Sequence, residues 1–239
     1  MEKKYKLTDE YIFQYGVKLF RIEAVKNFRD VKKGDKGGFV ENENNLSHFG
    51  ECWIYGNAKV YGYSRVSANA EIYDNAEIYD AAQIYGNATV YDNAKVFGKA
   101  RVFCDARVYG NAEIYGSSFI YDHSEVYDNA KVHDHASVYS NANIYEDSEV
   151  CGDSNVCGNV ELCKDALVKN TSDYIVFKNW WSSGRYFTWT RSNNKWKVGC
   201  FYGTGEELIE KAYNDSELSG REYERVVKYV ESILNEGRI

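Results

Sequence analysis

An aliphatic side chain recurs at every sixth position from Ile54 to Val168, twenty times without a slip. No other feature of the chain limits its fold so tightly. The series runs Ile54, Val60, Val66, Ile72, Ile78, Ile84, Val90 and onward to Val156, Leu162 and Val168. Four residues after each of the first nineteen stands Ala or Ser, with Val160 as the single exception. A period of six is neither the 3.6 of an amphipathic helix nor the plain alternation of a hairpin strand. In a unit such as Ile54-Tyr55-Gly56-Asn57-Ala58-Lys59, Ala58 and Val60 alternate with Lys59 and Tyr61. A short strand therefore turns small and aliphatic residues one way, polar and aromatic residues the other. The Gly-Asn or Asp-Asn pair supplies a corner, because Gly and Asn accept left-handed backbone angles.

Strand-and-corner units of this kind resemble the hexapeptide-repeat, left-handed parallel β-helix family. The resemblance covers roughly half of the chain and implies a mainly β fold, with triangular coils of about 18 residues, six to seven of them, in a prism roughly 30 Å long. The absence of Pro suits such an unbroken array. Residues one coil apart should then stack about 4.8 Å apart. Lys59, Glu77, Lys95, Glu113, Lys131 and Glu149 form one column of alternating charge. Asn57, Asn75, Asn93, Asn111 and Asn129 form a column of amides, continued by Asp147 and Asp165, and Tyr55, Tyr73, Tyr91, Tyr109, Tyr127 and Tyr145 form a column of rings.

The outward position after each aliphatic residue is Tyr or Phe in nearly every unit from Tyr55 to Tyr145, with Ser67 and His133 as exceptions. Two readings stay open. The rings simply cover the strands while their hydroxyls remain in water, or they form a contact surface. The side with Arg65, Gln83, Tyr85, Arg101, Phe103, Phe119, Tyr121 and Tyr139 is the most apolar and is the expected subunit contact. The resemblance implies a homotrimer.

Three segments follow. Residues 1–45 hold 10 basic and 8 acidic residues, against 9 and 18 in residues 46–172. In the first segment, two strands around Gly16 and a Gly34–Gly38 turn into Phe39-Val40 are expected as a β cap. Val40, Leu46 and Cys52 keep the six-residue step into Ala58. Residues 46–172 are the β-helix. Residues 173–239 read as an α+β domain of three strands and two helices, the helices opened by Thr204/Glu207 and Ser219/Glu222. The whole layout also resembles Tyr-rich hypothetical proteins of phages and prophages, through Gly37-Gly38-Phe39, the hexads and Gly199-Cys200-Phe201-Tyr202-Gly203-Thr204. That resemblance implies a mobile-element context and no particular substrate.

A net charge of −7 argues against direct nucleic-acid binding. The start is charged with no apolar stretch behind it, no membrane-length apolar run occurs, and the six Cys form no CxxC pair. A cytoplasmic, reducing compartment is expected.

Chemistry is sparse. The β-helix resemblance implies an acyltransferase as one alternative, but the hexads contain no ejected loop. His48 precedes them, His123 and His135 fall at corners, and His133 replaces an outward ring. His133 and Cys151 are the one His–Cys pair a coil apart, two ligands and too few for a metal within one chain. Cys151, Cys157 and Cys163 fall on three different sides. No catalytic residue, metal or cofactor is expected. The candidate ligand site is Arg185, Trp189, Arg191 and Trp196 on adjacent strands, where Trp could stack on a ring and Arg could hold an anionic group. The alternative is a Trp core under the helices with Arg at the strand ends. The expected function is a non-enzymatic oligomeric binding protein of phage type, capturing a small, nucleotide-like anion or blocking a host defence protein. A structural assembly component is the other alternative.

Overall fold

The computed structural model describes residues 3–237, so that the outermost two residues of the 1–45 and 173–239 segments lie outside it. Strands β1 (Tyr5–Gln14), β2 (Val17–Ala24) and β3 (Lys36–Val40) precede twenty two-residue strands, from β4 (Trp53–Ile54) to β23 (Leu167–Val168). Each pairs in parallel with the strand one coil away, as in Lys95↔Glu113 and Val90↔Val108. Three sheets of ten, seven and six strands make the walls of a parallel β-solenoid of about seven turns. The first wall carries the Lys59–Glu149 charge column, the second the Tyr55–Tyr145 rings, the third the expected contact residues.

The interior follows the hexad. Its aliphatic residues and alanines are fully buried, in one continuous core. Where Ser replaces Ala, the hydroxyl is satisfied inside: Ser64 Oγ donates to the Tyr61 carbonyl at 2.7 Å, and Ser118, Ser124, Ser148 and Ser154 repeat the bond. A buried polar group thus costs little.

The corners differ from the expectation in one respect. Every sixth residue from Gly50 to Lys164 has φ between +53° and +83°, and this is the Gly or Asp position, not the Asn after it. Asp offsets the left-handed cost by accepting a backbone N–H one coil on: Gly110 N–H reaches Asp92 Oδ2 at 3.1 Å, and Gly98 N–H reaches Asp80 Oδ2 at 3.1 Å. The Asn side chains instead bond to one another, Asn75 to Asn93, Asn93 to Asn111, Asn111 to Asn129 and Asn129 to Asp147.

The start of the solenoid slips frame. Val40 pairs with Val60 and Leu46 with Val66, twenty residues apart rather than eighteen, whereas Trp53 pairs with Glu71. Val40 and Leu46 therefore hold aliphatic positions and Cys52 a small-residue position, and the six-residue step read through them is coincidental. The two extra residues bulge between Leu46 and Ile54.

Beyond the solenoid lie four strands rather than three. They are β24 (Tyr174–Lys178), β25 (Tyr186–Thr190), β26 (Lys195–Val198) and β27 (Phe201–Gly203), paired antiparallel in chain order. Gly199, at φ +55°, turns the expected third strand back on itself. Helices α1 (Gly205–Asp215) and α2 (Glu217–Asn235) cover one side of this sheet. Thr204 and Glu207 cap α1 reciprocally, and α2 begins after Ser216, three residues before the expected Ser219. No described helix is long and apolar enough to cross a membrane.

Candidate functional site

The third wall brings together every residue assigned to subunit contact. Arg65, Gln83, Arg101 and Phe119 stand in one outward column, in register one coil apart. Beside it Tyr85, Phe103, Tyr121 and Tyr139 stack with centroids 4.9–5.0 Å apart and planes within 5°. Burial raises the Tyr121 hydroxyl pKa, and Tyr139 is pushed up to about 12, first by its hydrogen bond to the Cys157 thiol and then by burial. These phenols are neutral at physiological pH.

What separates this wall from the other two is that its strands offer no carboxylate to its cations. On the first, Lys59 meets Glu77 at 2.9 Å and Lys95 meets Glu113 at 3.7 Å. On the second, Arg107 lies 3.4 Å from Glu125, and Tyr109 donates to Glu125 at 3.0 Å. The strands of the third carry no carboxylate. Among the described residues the Arg65 side chain has no ion pair, and Arg101 only overlies the Phe119 ring at 5.5 Å. The second wall's ring column also breaks between Tyr73 and Tyr91, where a hollow of 360 Å³ opens over Thr89; the third wall's ladder is continuous from Tyr85 to Tyr139.

The expected ligand group does not assemble. Strand alternation is as read, but Trp189 and Trp196 are only 1% and 2% exposed, cross-strand neighbours in a core with Phe187, Leu208, Val227 and Val230. The Trp189 indole N–H is spent on Asn194 at 2.8 Å. No planar ligand can reach either indole, so the core alternative holds for both. The reason is tertiary: α1 and α2 close over that side of the sheet. Arg191 lies past the end of β25, its Nε and Nη2 out of solvent without a protein partner. Arg185 alone stays exposed, between a 320 Å³ hollow with Lys211 and Tyr223 and a 410 Å³ hollow with Asn143 and Tyr186.

Two places were not legible as sites. The frame-slip bulge forms one side of an 850 Å³ cavity with Glu43, His48, Phe49, Tyr63 and Arg65. In it His48 stacks on Tyr5 at 4.4 Å, and its Nδ1 accepts the Lys4 N–H at 3.2 Å. Its buried Nε2 has no hydrogen-bond partner, and burial lowers its pKa. On the first wall, Glu149 joins His133 and Cys151, with the three donor atoms within 4.8 Å of one another. Eighteen residues is not the only separation at which outward side chains on these walls meet; they also meet sixteen apart, as in Tyr109–Glu125 and His133–Glu149. Cys151, Cys157 and Cys163 do lie on different walls, all as free thiols.

Among known families, the YdcK β-solenoid repeat matches residues 82–98, about one coil of this solenoid. No curated protein matches the chain.

Proposed function

We propose that the chain is a non-enzymatic β-solenoid binding scaffold that works as an oligomer, with the third wall packed against further copies of itself. The observation that carries this reading is the third wall's surface: its strands carry no carboxylate, and it presents a continuous ring ladder from Tyr85 to Tyr139. A face roughly 30 Å by 15 Å gives about 1,000 Å² between two copies, the low end of specific interfaces. Three copies is the stoichiometry that the β-helix resemblance supports. Bound cargo, an anionic small molecule or a host protein as the phage resemblance suggests, would sit at the C-terminal end beside Arg185. Sedimentation velocity tests the scaffold: Phe103→Glu with Tyr121→Glu should dissociate the oligomer without unfolding it, and a wild type already monomeric at micromolar concentration sinks the reading. Native mass spectrometry tests the cargo: a small molecule retained by wild type should be lost from Arg185→Ala.

A further inference from the structure

We infer that His133, Glu149 and Cys151 form a binding site for a zinc-class divalent transition metal. The inference is independent of the oligomer, since all three donors come from one chain. His133 and Cys151 occupy successive rungs of the first wall's ring column, where Tyr61, Tyr79, Phe97 and Tyr115 precede them. Their backbones are fixed by the ladder: His133 N–H bonds Val150 O at 3.0 Å and Cys151 N–H bonds Val168 O at 2.9 Å. The imidazole is pinned against the Tyr115 ring, 4.6 Å away and 5° from parallel.

Both ring nitrogens face carboxylates. Nδ1 lies 3.3 Å from Asp134 Oδ1, and Nε2 lies 3.0 Å from Glu149 Oε1. This is the arrangement a metal-binding histidine uses, one nitrogen oriented by an outer carboxylate and the other aimed at the ion. With its Nδ1 proton directed at Asp134, His133 presents the Nε2 lone pair beside Glu149 and the Cys151 sulfur. A tetrahedral ion wants its donors about 3.5 Å apart. The present spread is within 4.8 Å, with Glu149 Oε1 already 3.0 Å from His133 Nε2. On binding, the Cys151 thiol gives its proton to solvent and the thiolate takes its place on the metal. The fourth position falls on the solvent side, because His133 and Glu149 are only partly buried, and water fills it. One thiolate and one imidazole select zinc or cobalt over magnesium or calcium. The ion would clip two adjacent coils together near the C-terminal end of the solenoid.

Titration of the full-length protein with Co²⁺ tests this directly. One ion per chain is expected, with a sulfur-to-cobalt charge-transfer band that added Zn²⁺ removes. Cys151→Ser should abolish the band. His133→Tyr, which continues the ring ladder and so preserves the fold, should abolish it as well. Asp134→Asn should weaken binding tenfold or more, as loss of an outer-shell partner does. The exposed thiols provide the control, and Cys104→Ser with Cys200→Ser should leave the band intact. Absence of the band in wild type, its survival in Cys151→Ser or His133→Tyr, or its loss in the Cys104/Cys200 variant would each overturn the site.

Discussion

The two ends of the solenoid face opposite chemical problems. Along the walls each N–H points to the next coil and each carbonyl to the previous one, as in Tyr55 N–H to Ile72 O. The first coil is therefore left with bare carbonyls and the last with bare N–H groups. The N-terminal end is closed by donors. Lys4 Nζ, with its residue 1% exposed, bonds the carbonyls of Gly50 at 3.2 Å and Cys52 at 2.7 Å. The Tyr5 hydroxyl lies 2.8 Å from Leu46 O, and Arg21 donates to Gly37 O at 2.7 Å. Acceptors close the C-terminal end. Thr188 Oγ1 takes the Glu161 N–H at 3.2 Å, Ser192 Oγ the Leu167 N–H at 2.9 Å, and Asp173 Oδ2 the Lys169 and Asn170 N–H groups. A solenoid thus has a polarity like that of a helix, and its ends need opposite caps. One end relies on buried or half-buried cations, the other mainly on neutral hydroxyls.

That difference can be broken from either side. The largest effect should come from ending the chain at Asn170. Without the sheet, Val160, Leu162 and Val168 lose their cover and the last N–H row stands open, so end-to-end assemblies should appear in size-exclusion chromatography. A monodisperse truncated protein would show that the end needs no cap.

Alkali should separate the ends next. Burial raises the Tyr5 pKa, so the stability held by its proton is full below pH 10 and is lost as pH rises through the raised value. A Tyr5 phenolate has no proton to give its carbonyls. Tyr174 accepts the Cys157 N–H and donates to the Asn155 carbonyl at 3.1 Å, and it is pushed up less far than Tyr5, to about 12. The Tyr174 bond to Asn155 should therefore be lost first, and the C-terminal end should open before the N-terminal end. Fluorescence of Trp189 and Trp196 should change at lower pH than that of Trp53, packed beside Tyr5; the reverse order would refute the scheme.

Single caps give smaller steps. Lys4→Met leaves the buried Cys52 carbonyl and the more exposed Gly50 carbonyl without this donor and should cost about 3 kcal/mol in urea unfolding. Thr188→Val removes one neutral acceptor and should cost about 1 kcal/mol. Equal costs would mean that charge is not what distinguishes the ends. The double variant should be additive, because the sites are far apart.

Most of the walls could be read in advance because each hexad states its own geometry. The alternating column from Lys59 to Glu149, the Asn ladder and the shared wall of the residues from Arg65 to Tyr139 all follow from one strand, one corner and one repeat length. The candidate sites were less legible wherever the relevant neighbour lay outside that repeat. Glu149 was missed because it meets His133 diagonally, not along a column. The His48 cavity was missed because the six-residue step through Val40, Leu46 and Cys52 hides a frame slip. Trp189 and Trp196 were misread because strand alternation names a face without saying what covers it.

The sequence by itself determined the period, the inward and outward sides, and which residues share a wall. These are consequences of backbone alternation and of a left-handed corner at every sixth residue, both local. Only the tertiary structure decided which ends are capped by what, that α1 and α2 bury the indoles while Arg185 stays outside, and that three donors from two coils converge on the first wall. Those outcomes depend on packing between segments whose separation in the chain carries no fixed rule, and packing is settled by shape and unsatisfied hydrogen bonds rather than by any repeat.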